Sequence, residues 1–346
     1  MSIASQLTAL EGNISDAYDM VAQRGGTVPA RKNMENLDDA IATIPSGSNV
    51  GIPREVSSSG VYQMPSSNFT FSLPSNATDL GNYALAYAFY NSDKLTSVDL
   101  SSLTILSSQG STDHAFAYCS SLTSADLSSL TAVGREGLHY AFFTCYNLAT
   151  VDLSSLTTLS GSNAMYNTFY GCRSLTNVDL SSLTTVSGAS AMYACFTSCD
   201  DLTTIDLSGL TTISGQGGLQ QAFGQCPSLT SVDLSSLTTV SGANGLVNLF
   251  YGCTSLTSFT FDLLSSITGS SALMYAFRGC TALTSVSFPA LTTTSFGTRV
   301  NQFDNMLNGC TGVTVHFPAA IQSTIGSWTS VQNGFGGTNT TVLFDL

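Results

Sequence analysis

Two side-chain types with reactive potential return along this chain at a nearly fixed interval. Cysteines stand at 119, 145, 172, 199, 226, 253, 280 and 310, and aspartates at Asp99, Asp126, Asp152, Asp179, Asp206 and Asp233, mostly 27 residues apart. Thiols bind zinc when short C-x-x-C units gather them, and no pair here has that spacing. A nucleophilic thiol or serine needs a base beside it, yet His114, His139 and His316 share no column with the thiols. There is no G-x-S-x-G elbow and no glycine fingerprint for phosphates. No carboxylate pair stands apart from the regular row, as hydrolysis of a glycan would require. A chain that returns on itself every 26 or 27 residues would set Asp113 beside His139, which reads as a surface pair rather than a catalytic dyad. These residues predict a protein that is not an enzyme and takes no cofactor or metal.

Only 9% of the 346 residues are charged, against about a quarter in an average globular chain, while 43% are hydrophobic. The net charge of -13, with nine basic residues, argues against nucleic acid and anionic membrane surfaces as partners, because both need clusters of Lys and Arg. No apolar run approaches the roughly 18 residues of a membrane span, and the first residues lack the basic and apolar regions of a signal peptide. The nine cysteines are an odd number, and all but Cys195 recur with the period, which predicts reduced thiols in one packed column, Cys195 as a small core residue outside it, and assembly in a reducing cytoplasm.

What positions such columns is a repeat. Leu-x-x-Val-x-Leu falls into register at Leu95, Leu122, Leu148, Leu175, Leu202, Leu229, Leu256 and Leu283, with degenerate copies at 69–73 and 313–317. A fixed period of this size means a solenoid, in which each coil buries its apolar face against its neighbours. In LTSVDLSSL, alternation puts Val232 and Leu234 on one face and Ser231, Asp233 and Ser235 on the other, a half-buried strand. In the second half of each line, apolar residues such as Leu246, Leu249, Phe250 and Cys253 follow the i, i+3, i+4, i+7 spacing of a helical face. The expected fold is therefore an α/β solenoid of about nine coils, with a parallel sheet on one side and short helices on the other.

Two surfaces follow from this register. The sheet would present the six aspartates between rows of serine and threonine, and like charges on adjacent strands repel by about 1 kcal/mol per neighbour in water. Hydrogen bonds from flanking hydroxyls, partial protonation or bound cations could relieve that. The opposite side carries Tyr87, Tyr90, Tyr118, Tyr140, Tyr166, Tyr170, Tyr193, Tyr251 and Tyr275, which either cover the core edge or form a contact surface.

The Leu-x-x-Val-x-Leu strand and the AFxxC phrase (AFAYC, AFFTC, AFRGC) resemble the BspA-type bacterial leucine-rich repeats over roughly 67–318. That resemblance implies binding or adhesion, to a host surface protein or glycan, without catalysis. It departs in period, since such repeats usually run a few residues shorter. Residues 1–47 are a different text. Ile3, Leu7, Leu10, Ile14, Ala17 and Val21 follow the spacing of a heptad seam, predicting a helical attachment and oligomerisation segment, with a trimer favoured. This opening stretch resembles the N-terminal segments of structural proteins of tailed phages of gut bacteria. The resemblance implies a tail-fibre or receptor-binding subunit located in the virion, joined to other tail proteins through residues 1–45. The alternative is a bacterial adhesion or interaction protein with no virion role. Residues 48–66 read as linker and N-terminal cap, and 319–346 as C-terminal cap.

Overall fold

The computed structural model describes residues 55–56, 62–63, 67–292, 301–322 and 334–346. The predicted heptad seam of Leu7, Leu10, Ile14 and Val21 lies outside them, as does part of the predicted C-terminal cap. Strands such as Leu95–Asp99, Thr204–Asp206 and Ser231–Asp233 form because a buried Val, Ile or Leu alternates with an outward Ser, Thr or Asp. Successive strands pair in parallel and in register, so Ile205 lies beside Val178 and Val232. The series runs through a 4-stranded, a 3-stranded and a further 4-stranded segment, from Phe69–Ser72 to Thr341–Leu343.

Each coil has a second β side that the sequence pattern did not announce. Two-residue strands, from Ile105–Leu106 to Ser266–Ile267, make a 7-stranded parallel ribbon. Two residues are too few for alternation to be visible. One of each pair points inward, as with Val186, Ile213 and Val240, all fully buried.

The short helices expected on the remaining side are absent: residues 67–292 contain no helix. The segments are ribbons of consecutive turns, and the hydrogen bonds show why. Leu249, Tyr251 and Cys253 donate their N–H to the carbonyls of Leu246, Asn248 and Phe250 three residues back in the same coil. The intervening Asn248, Phe250 and Gly252 donate instead to Met274, Ala276 and Arg278 of the next coil. An α-helix would keep every N–H within its own turn, leaving the coils joined only by side chains. Alternation of the two bond types requires a left-handed residue every fourth position, as at Asn244, Asn248 and Gly252 with φ of 59, 54 and 73°. Asn and Gly tolerate that region best. The ribbon also turns apolar side chains inward at positions that mimic a helical stripe, which is how the periodicity misled.

Besides the leucines and valines of the β sides, two columns run through the interior. Phe89, Phe116, Phe142, Phe169, Phe196, Phe223, Phe250 and Phe277 are fully buried, and neighbours such as Phe142 and Phe169 stack with centroids 5.5 Å apart and planes 6° from parallel. Burying each ring contributes roughly 1.5–3 kcal/mol. Beside them run the thiols, each aimed at the carbonyl of the phenylalanine one coil back: Cys145 Sγ lies 3.0 Å from Phe116 O, and Cys253 Sγ 3.0 Å from Phe223 O. All nine cysteines are free and buried. Burial pushes the Cys119 thiol up to about 12, and the remaining thiols of the column upward as well. Because the thiolate is the nucleophile, iodoacetamide at about pH 8 is expected to leave the folded chain unmodified and to label all nine residues in denaturant. Mass spectrometry reads the result, and rapid labelling of Cys172 or Cys226 in the folded chain would contradict the packing.

A third column is made of absence of side chain. Gly161, Gly188, Gly215, Gly242 and Gly269 stack so tightly that a Cβ on Gly215 would lie 2.1 Å from Gly188 O and 2.7 Å from its carbonyl carbon. The coils touch backbone to backbone there.

Candidate functional site

The six aspartates stand side by side on the strands, Asp99 beside Asp126 and Asp126 beside Asp152, then Asp179 beside Asp206 and Asp206 beside Asp233. Each has the same local task. Its Oδ1 accepts the backbone N–H of the serine two residues on: Ser101 on Asp99 at 3.0 Å, Ser181 on Asp179 at 2.9 Å and Ser235 on Asp233 at 2.9 Å. This is an Asx turn that ends the strand and starts the next corner. The Ser101 hydroxyl adds a second bond at 2.6 Å, and Ser154 does the same for Asp152 at 2.7 Å. The hydroxyl and backbone bonds from Ser101 hold the Asp99 carboxyl below its usual range, and the backbone bond from Ser181, then its hydroxyl, do so for Asp179. The row lines shallow concavities, one of about 700 Å³ over Asp99, Asp126, Asp152 and Asp179, the other of about 550 Å³ over Asp206 and Asp233.

The turn ribbons assemble the tyrosines differently. Tyr87 is stacked on His114 at 4.7 Å and 6°, and His114 in turn on Tyr140 at 4.5 Å and 9°. Tyr140 continues to Tyr166 at 5.6 Å, and Tyr166 stacks on Tyr193 at 4.7 Å. A parallel row joins Tyr90 to Tyr118 edge-on at 5.3 Å, then reaches Tyr170 by way of Phe143. Tyr251 and Tyr275 are not part of this cluster; they flank Arg278, whose guanidinium lies 5.3 and 5.6 Å from their rings. Tyr87, Tyr90 and Tyr118 are 54, 46 and 38% exposed, whereas Tyr140, Tyr166 and Tyr193 are half-buried. Tyr146, 43% exposed with Arg173 5.0 Å from its ring centroid, belongs to the same outer surface and was missed, because it follows the cysteine, beyond the stretch read as a helical face.

At the centre of the cluster Asp113 and His139 meet across adjacent coils, as the 26-residue step between them implies, and His114 joins them. Asp113 Oδ1 lies 2.7 Å from His114 Nδ1 and 2.9 Å from His139 Nδ1. Burial would raise the Asp113 carboxyl, but the two imidazoles outweigh it and bring it down to about 2. Burial, then the Asp113 carboxylate, push the Tyr87 hydroxyl up. Among the described residues this trio is the one group of three His, Cys, Asp or Glu side chains whose ligand atoms converge, all within 4.8 Å of one another.

With the in-register leucine strands and the phenylalanine and cysteine columns established, the family match decides the affiliation. The BspA-type leucine-rich repeat region, a model of six copies, matches residues 46–168, 112–244, 166–271 and 246–324. The chain belongs to the BspA-type leucine-rich repeat family. This BspA-type chain is similar to the leucine-rich repeat protein of T. pallidum, at 17% identity and a TM-score of 0.31, over 84% of this chain and 96% of that one. It is also similar to a leucine-rich repeat protein from Eubacterium ventriosum, at 17% identity and a TM-score of 0.30, covering 79% and 78% of the two chains. A leucine-rich cell surface protein from Faecalibacterium prausnitzii matches at 16% identity and a TM-score of 0.22, over 84% and 92%. No curated protein sequence matches the chain.

Proposed function

We propose that the chain is a non-catalytic interaction protein of the bacterial leucine-rich repeat kind, which adheres to a protein or glycan through the aromatic rows of its turn ribbons. The observation that carries this reading is the exposed cluster of Tyr87, Tyr90 and Tyr118. Stiff rings with a polar tip offer large contact area at little entropic cost, and a contiguous apolar patch on a folded surface marks contact. The aspartate row has a structural employment in its Asx turns, which favours the tyrosines over the sheet as the binding side. Membership of the BspA-type family supports a binding rather than a catalytic role.

The test is an array of cell-surface glycans and matrix proteins probed with the fluorescent full chain. The double variant Tyr90→Ser, Tyr118→Ser is expected to bind at least tenfold more weakly than wild type. The double variant Asp152→Asn, Asp179→Asn should bind as wild type does. The reverse pattern would move the contact to the sheet.

The narrower reading, a trimeric tail-fibre subunit in a phage virion attached through residues 1–45, rests on the opening segment and its heptad seam. The family match over the repeats, from residue 46 onward, instead supports the alternative, a bacterial interaction or adhesion protein with no virion role.

A further inference from the structure

We propose that Asp113, His114 and His139 bind one divalent first-row transition-metal ion, for which zinc is the natural probe, on the outer side of the turn ribbon. Two imidazole nitrogens and one carboxylate oxygen are a donor set that such ions favour, and three protein ligands leave a position open to water. The geometry is close to what the ion requires. With metal–ligand bonds of about 2.0–2.1 Å in a tetrahedral shell, neighbouring donors stand about 3.3 Å apart. Here His114 Nδ1 and His139 Nδ1 stand 2.7 and 2.9 Å from the same Asp113 oxygen, and all three ligand atoms lie within 4.8 Å of one another, so modest side-chain rotations bring the trio to that spacing. Each imidazole then keeps its single proton on Nε2, and its Nδ1 lone pair faces the ion.

The site is held ready by its surroundings. His114 is clamped between the Tyr87 and Tyr140 rings, while His139 stands edge-on to Tyr140 at 4.6 Å and 87°. The His114 N–H donates to His139 O at 3.0 Å, which ties together the two coils that supply the ligands. The side chains of all three residues are about a fifth exposed, so an ion can reach them from solvent. Repetition elsewhere in the solenoid does not recreate the trio. The position of His114 is taken by Asn167 and Asn248 in later coils, and that of His139 by Tyr166 and Gln220. One equivalent per chain follows. The inference is independent of the proposed adhesion, because it is read on the isolated protein.

Those same coils supply the variants that keep the backbone intact. Asparagine already occupies the left-handed position of His114 at Asn167 and Asn248, with φ of 52 and 54°, so His114→Asn adds no strain. His139→Gln copies Gln220. Full-length chain, stripped with a chelator and desalted, is titrated calorimetrically with zinc, and separately with cobalt to follow its visible absorption. Saturable uptake of one equivalent is expected, with a rise in melting temperature, and His114→Asn, His139→Gln and Asp113→Asn should each weaken binding tenfold or more. His316→Asn, in the separate pair of His316 with Asp345, should bind as wild type does. Circular dichroism establishes that each variant is folded. The proposal is overturned if the wild-type chain takes up no stoichiometric ion, or if uptake persists unchanged in the folded His114→Asn and His139→Gln variants.

Discussion

Alanine in place of Gly215 is expected to cost about 3 kcal/mol or more, at the upper end of what an inserted methyl group does in a packed interior. The added Cβ would meet Gly188 O at 2.1 Å, the Gly188 carbonyl carbon at 2.7 Å and the Ser187 carbonyl carbon at 3.0 Å. All three are backbone atoms, so no side chain can rotate aside. The coils must separate locally, and the interior bonds that cross between them are strained with them. Gly242 and Gly188 face the same restriction, with Cβ approaches of 2.0 Å to the preceding glycine's carbonyl oxygen. Gly81 is the control, since nothing lies within 4 Å of a Cβ there. Urea denaturation followed by circular dichroism should show a clear fall in midpoint for Gly215→Ala and little change for Gly81→Ala. Equal midpoints for the two variants would refute the backbone contact.

Phe196→Ala is the second large effect, expected to cost about 3–5 kcal/mol through lost burial and the cavity left behind. The ring stacks on Phe169 at 5.4 Å and 10° and on Phe223 at 5.9 Å and 19°. Its removal therefore separates two halves of a continuous column. In a solenoid such a defect weakens one interface, not the whole molecule uniformly. Hydrogen exchange should accordingly rise first in the coils on either side of residue 196, while the ends of the solenoid change little. Phe196→Leu keeps most of the volume and should cost less than half as much. A variant that melts as wild type does would mean that the column does not hold the coils together.

How far the fold was legible depends on which residues carry the signal. Leu-x-x-Val-x-Leu, the Phe column and the Cys column are one-to-one with buried positions, and their register was readable without coordinates. The turn ribbon was not, because Leu246, Leu249, Phe250 and Cys253 have the spacing of a helical stripe whichever way the backbone is bonded. The discriminating signal lay in the polar residues between them: Asn163, Asn167 and Gly171, or Asn244, Asn248 and Gly252, four apart, mark left-handed positions that a helix would not take. The Asx turns of the aspartate row were implicit in Asp-x-Ser but obscured by the question of charge. In the metal trio, Asp113 and His139 were predictable neighbours from the 26-residue step. His114 was not, because its column is otherwise tyrosine, asparagine, glutamine or alanine, and only the backbone places its ring beside theirs.

The alternating bonds of the turn ribbon give the molecule a mechanical character. Half of the N–H groups on that side, like those of both β sides, point along the solenoid axis from one coil to the next. Tension applied to the two ends of the chain therefore loads these bonds in line and a few at a time, as in a zipper, rather than sharing the force across a sheared sheet. The coil at the pulled end peels away with its phenylalanine and its thiol while the next keeps its stack. The molecule would yield link by link under load, dissipating energy at each step.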